Sequence, residues 1–369
     1  MSSLDDANPL DDASPSPNNF PTSAPKMHNF PSSLGKTFAA GWPSWRSTRG
    51  DPSFTIRLAE QLKDEAAKSH LPEDPATIIH EFRKECQRRG MAAFNEVWSE
   101  LENALITLVY SSNLIELSGQ DLQITTRICQ DVFRGKAVNP NIPESESDPE
   151  YQRHLGNLLK THRRGDMPNI IRSRLEVINH AKALGYMIDR VALDNELLSE
   201  DLILETHRIL FEGLTLDGDI KPGVYRDHEV AVCYSKPGEK KKKSVCIRAM
   251  AVPGYMRQMV DHLNDDIAMA EAAAEIDPYT LAARYHHQFV MIHPFGDGNG
   301  RLTRIILNVI LLKYAGHLTA FGSEGNEKDD YLHIVRRGHK AFNDEDMEVE
   351  FHEQTSHHEF ARGKDETPA

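Results

Sequence analysis

No stretch of this sequence reaches the length of a membrane-spanning apolar helix, and its first residues, MSSLDDANPLDD, carry neither the basic nor the apolar segment of a secretion signal. The expectations are no membrane partner and a cytoplasmic or nuclear location. Cysteine is scarce. The four present, Cys86, Cys129, Cys233 and Cys246, include no CxxC pair and no metal-ligand spacing, which excludes a zinc ribbon and a disulfide framework. Cys233 and Cys246 could face each other across a hairpin, but reduced thiols are the favoured reading. Positive charge is also the minority: 42 Lys and Arg stand against 56 Asp and Glu, a formal charge of −14, which argues against a nucleic-acid partner. An ordinary P-loop is missing as well. LGKT at Leu34 to Thr37 imitates the end of one, yet the position that needs the first glycine holds Phe30.

What is present is mostly helical patterning. Residues 1–50 are rich in Pro, Ser, Asn and Asp and read as a disordered tail. Residues 51–190 read as a helical region, in which Phe94, Trp98, Leu101, Leu105 and Leu108 form one apolar face and a further helix is expected at about 120–134. Residues 198–343 form the main domain, with helices at about 199–212, 254–275 and 278–291 and after Arg301, the first capped by Ser199 and the last ended by Gly316. The segment 223–252 alternates like a β-hairpin, split by the basic tip KPGEKKKK. Residues 344–369 form an acidic tail. The fold class is mostly α with one short hairpin. No internal repeat is evident.

Between two apolar helical patterns lies HPFGDGNGR, His293 to Arg301. A helix opening at its end presents unpaired N–H groups, and with no side chain at Gly298 or Gly300 an anion can approach the backbone. Arg301 and Arg304 lie on one face and can converge on further oxygens, which suggests more than one phosphate. Asp297 beside such a pocket implies a cation, and Mg²⁺ held by one carboxylate plus phosphate oxygens suits it, with Mn²⁺ as a substitute. His293 can take a proton near neutral pH. Singly, each residue has a structural explanation. Their joint spacing specifies phosphoryl or nucleotidyl transfer.

HPFGDGNGRLTR, residues 293–304, fits the pattern HPFx[DE]GNGRxxR and thereby resembles the Fic (Fido) family. The surrounding segments LETHRIL, GVYR, VPGYMRQMVDHLN, HHQFVMI and RIILNVILL resemble its helices and flap. The resemblance implies a helical Fic core with a β-hairpin flap, preceded here by additional helices, and transfer of AMP from ATP to a Ser, Thr or Tyr hydroxyl of a target protein. It implies that His293 is the base and that Asp297 holds Mg²⁺. Gly298, Asn299 and Gly300 would hold phosphates, Arg301 the α and β phosphates and Arg304 the γ-phosphate, with Phe295 turned into the core. The flap, taken to include Val252, Pro253, Gly254 and Tyr255, would line the nucleotide and clamp the target by adding a strand.

SSNLIELSG places Ser112 and Glu116 at the S-x-x-x-E spacing of that family's inhibitory helix, here near 105–118, with Leu117 and Ser118 where members often have Gly and Asn. The resemblance implies that Glu116 pairs with Arg304 and denies it to the γ-phosphate. It also opens removal of AMP by a water that Glu116 positions, and regulation through a homodimer. Two other readings stand beside it: transfer of another phosphate-containing group, and a nucleotide-binding interaction module without chemistry.

Overall fold

A computed structural model describes residues 30, 31, 33, 34, 55, 56, 77, 81, 84, 85, 88–216, 218, 220–234, 242–322 and 327–335. The expected acidic tail 344–369, most of the expected tail 1–50 and the hairpin tip 235–241 lie outside these residues. One part of the tail expectation fails: Phe30 and Leu34 are buried in the core, and Phe30 stacks on Phe133 with ring centroids 5.8 Å apart.

The helices begin where local chemistry tells them to. After α1 (Met91–Ile115), α2 (Leu122–Phe133) opens at Asp121, whose carboxylate accepts from the Ile124 N–H. Asp148 and Asp166 cap α3 (Pro149–Lys160) and α4 (Met167–Met187) in the same way, each with proline in the first turn. A π-helical turn, Ile188–Leu193, continues α4. Ser199 caps α5 (Glu200–Leu210), accepting from Leu202 N–H. Then follow strands β2 (Ala231–Tyr234) and β3 (Lys242–Val245), a 3-10 turn and α6 (Val252–Ala273). Asp277 caps α7 (Pro278–Ile292), and α8 (Asn299–Ala315) runs from Gly298 to Gly316, both left-handed. A helical segment at 327–335 follows.

Nearly every residue of α8 is buried, which makes it the central helix of the domain. Around it pack α7, α4, α1 and α5, while α2 packs on α1 and α4. β2 and β3 form an antiparallel pair in which Cys233 is in register with Lys243, so Cys233 and Cys246 are not opposite each other. A second, parallel pair joins β1 (Thr55–Ile56) to β4 (Glu275–Ile276). Among the described residues no helix is long and apolar enough to cross a membrane.

Candidate active site

The loop between α7 and α8 is held in one shape by its own side chains. His293 ends α7 in the left-handed region, φ 50° and ψ 59°, its N–H donating to Phe289 O at 3.0 Å. Asn299 closes the loop: its Oδ1 accepts from Phe295 N–H at 2.9 Å and its amide donates to Phe295 O at 2.7 Å. That side chain is thus committed to the loop. Phe295 is fully buried, as expected, and stacks on His207 at 3.8 Å with 6° between the rings.

His207, from α5, fastens the far side of the loop. Its Nδ1 accepts from Gly223 N–H at 2.8 Å, which makes it the neutral tautomer whose Nε2–H donates to Asp297 O at 3.0 Å. Burial lowers its pKa to about 4, the bond to Asp297 opposing. Gly298 must be glycine. Its φ is 79°, and a Cβ there would lie 2.5 Å from a ring carbon of Phe211.

The cradle this loop makes at the start of α8 contains a carboxylate. Glu116, the residue that ends α1, sits against Gly300 so closely that a Cβ on Gly300 would collide with Glu116 Oε1. The same oxygen accepts from Arg304 at 2.6 Å. Arg304 is 1 % exposed and also donates to Ser112 Oγ at 2.7 Å, to Ser112 O at 3.0 Å and to Tyr331 OH at 3.4 Å, with its guanidinium 5.6 Å over the Tyr331 ring. Burial raises the Glu116 pKa, and the Arg304 charge and hydrogen bond, with Arg301 behind, more than offset it, so the carboxyl lies below its usual value. It is an anion held at the start of α8. Arg301 is also buried, 4.9 Å over Phe211 and 3.6 Å from Asp297 Oδ1. Asp297 is exposed at the mouth, its Oδ1 accepting from Gly298 N–H at 2.6 Å.

The turn after Glu116 is clamped from α4. Leu117 has φ 55°, the left-handed conformation that glycine adopts without strain and that costs other residues about 1–2 kcal/mol. Gly119 N–H donates to Glu176 at 2.7 Å, Arg163 donates to Gly119 O at 2.8 Å, and Asn113 bonds His180 at 3.0 Å. These contacts hold Glu116 in register with Arg304.

The structure brings His293, Asp297, Gly298, Asn299, Gly300, Arg301, Arg304, Ser112 and Glu116 together. It corrects the placement of Val252 to Tyr255, which form the first turn of α6 and not part of the hairpin. Pro253 fixes a helical φ there, and Val252 is buried. Tyr255 lines a cleft of about 210 Å³ between α6 and α7 with Gln258, Met259, His262, Gln288 and Ile292. Sequence reasoning missed His207, Arg226, Tyr331 and Glu176. The first two stood inside LETHRIL and GVYR, where only their spatial partners mark them. Among the described residues no group of three or more His, Cys, Asp or Glu could hold a metal ion. The exposed Asp297 carboxylate beside a glycine cradle fits Mg²⁺, which takes one or two protein carboxylates and completes its shell with phosphate and water.

Fold and site together define a helical domain that sets a histidine before a glycine cradle at a buried helix N-terminus. Residues 197–311 match the Fic/DOC family, and over that span the chain carries a domain of this family. It is 32% identical over 144 residues, 39% of this chain and 25% of the relative, to the protein adenylyltransferase fic-1 of Caenorhabditis briggsae. A Fido domain-containing protein of Dictyostelium discoideum is 44% identical over 59 residues, 16% of this chain and 40% of that one. In fold the chain is similar to a Fic domain containing signaling protein from Bacteroides thetaiotaomicron, with TM-score 0.51 and 20% identity, over 71% of this chain and 81% of that one. The chain spans about a quarter of the length of the fic-1 relative.

Proposed function

We propose that this protein is an auto-inhibited protein adenylyltransferase that moves AMP from ATP to a hydroxyl of a target protein. The observation that carries the reading is the Glu116 carboxylate lodged at Gly300 and paired with Arg304 at 2.6 Å: the cradle is built for an anion and already holds one. ATP would place its phosphates on the main-chain N–H groups at the start of α8, with Arg301 and Arg304 behind them. Mg²⁺ on Asp297, when bound, neutralises phosphate charge. His293 takes the proton of the target hydroxyl, whose oxygen attacks the α-phosphorus. The bond from that phosphorus to the bridging oxygen breaks, and pyrophosphate leaves. The result is a phosphodiester between AMP and the target side chain.

Inhibition follows from competition for one guanidinium. While Glu116 occupies Arg304, the γ-phosphate lacks its partner and the chain of phosphates is not held for in-line attack. The target segment would dock along the hairpin, beside the Tyr255 cleft.

Intact-mass measurement of full-length wild type, Glu116→Gly and the double variant Glu116→Gly/His293→Ala, each incubated with Mg²⁺ and ATP, UTP or CDP-choline in turn, tests this. The expected result is a gain of one AMP in Glu116→Gly with ATP, little in wild type and none once His293 is gone. A different added group would identify another transferase. No mass change with any donor would identify a binding module.

A further inference from the structure

Arg226 lies inside the GVYR segment, outside the nucleotide site and 5 % exposed. Its Nε donates to His293 O at 2.7 Å, its Nη1 to His228 O at 3.0 Å, and its Nη2 to Ile247 O and, at 3.3 Å, to Ile292 O. Its main-chain N–H donates to Pro294 O at 2.9 Å. Every one of these acceptors is a main-chain carbonyl, none a carboxylate. Three belong to Ile292, His293 and Pro294; the other two lie at the roots of the hairpin, His228 just before β2 and Ile247 just after β3.

This pattern has a particular mechanical content. His293 holds a left-handed conformation that costs a non-glycine residue about 1–2 kcal/mol, so something must over-determine it. The orientation of the Ile292 and His293 carbonyls is set by the ψ angles on either side of the His293 N–H, and those angles aim the imidazole. One planar guanidinium grips both carbonyls and both hairpin roots at once. A lysine ammonium on a shorter reach cannot span the four acceptors in that fork geometry.

We propose that Arg226 is a positioning residue that fixes the His293 imidazole relative to the β2–β3 hairpin, so that a target segment added to the hairpin meets the base at a set distance. The proposal rests on the reading of His293 as the base. It assigns Arg226 no contact with nucleotide or target.

The test compares full-length Glu116→Gly with Glu116→Gly/Arg226→Lys, reading self-labelling with AMP from Mg²⁺ and ATP. Rates are normalised to the fraction of protein that binds ATP by calorimetry. Misplacing a reacting group by about 1 Å costs on the order of 100-fold, so kcat should fall about 10- to 100-fold while KM for ATP stays within about two-fold. A fall in rate that merely follows the fraction binding ATP, or an equal rise in KM, would reduce Arg226 to a structural role and overturn the proposal. If Glu116→Gly itself transfers nothing, the functional reading fails separately. Hydrogen exchange then decides: Arg226→Lys must speed exchange at 228–234, 242–248 and 289–298 together, and faster exchange at the hairpin alone refutes the coupling.

Discussion

Replacing Glu116 by Gln removes one charge and little volume, which isolates the electrostatic part of the proposed block. A hydrogen bond to a charged group contributes about 1.5–3 kcal/mol, and with 35% of the Glu116 side chain exposed solvent screening reduces this to about 1–2 kcal/mol. Under the proposed inhibition, that is the energy a γ-phosphate would have to overcome to take Arg304 in the wild type, and it corresponds to about 5- to 30-fold in rate. Glu116→Gly, which also clears the space beside Gly300, should do at least as well. The ranking is then Gly at or above Gln, and Gln above wild type, in initial rate of AMP incorporation at sub-saturating ATP. Thermal unfolding supplies a second reading. A ligand at 100 times its Kd stabilises by about 2.7 kcal/mol, and in the wild type part of this is lost to displacing Glu116. Mg²⁺ and ATP should therefore raise the midpoint by a few degrees more in either variant than in the wild type. Equal rates and equal midpoint shifts in all three proteins would refute the claim that carboxylate and phosphate compete for Arg304.

Three further outcomes are expected. Burial lowers the His207 pKa from 6.5 to about 4, so the unfolded chain binds a proton that the fold excludes. The stability this gives is full above pH 6.5 and is lost as pH falls toward 4, about 2 kcal/mol of it by pH 5. His154 and His286, lowered to about 4 and about 3, titrate in the same direction, so the comparison is His207→Gln, whose urea-unfolding difference between pH 7.5 and pH 5 should be about 2 kcal/mol smaller than wild type's. Gly298→Ala adds left-handed strain and a collision with Phe211, and should cost about 2–4 kcal/mol in urea unfolding; a cost under about 0.5 would contradict the loop geometry. Ser112→Ala removes the acceptor 2.7 Å from Arg304 Nε and should cost about 1–3 kcal/mol by the same measurement.

Much was legible in one dimension because it depends on neighbours in the chain. The cap at Ser199 was read directly, and those the structure adds at Asp121, Asp148, Asp166 and Asp277 likewise act within three residues. The glycine cradle is local too: Gly298 turns the chain through the left-handed region and Gly300 carries no side chain over the first turn of α8, wherever that helix packs. The pairing of Glu116 with Arg304 spans 188 residues and was readable only through resemblance, since nothing local aims a carboxylate at a guanidinium. The resemblance misled at Val252 to Tyr255, taken as part of the flap, where Pro253 and burial of Val252 start a helix instead. Composition misled at Phe30 and Leu34, whose side chains are buried in the core.

By itself, then, the sequence determined the helices, the position of the glycine cradle and the residue types that could act on a phosphate ester. Only the tertiary structure decided which anion fills the cradle, which imidazole is neutral and how the hairpin is tied to His293. The reason is physical. Helix caps and glycine turns are short-range and survive in any context, whereas a buried guanidinium such as Arg304 or Arg226 takes its meaning from carbonyls and carboxylates that only folding brings within 3 Å.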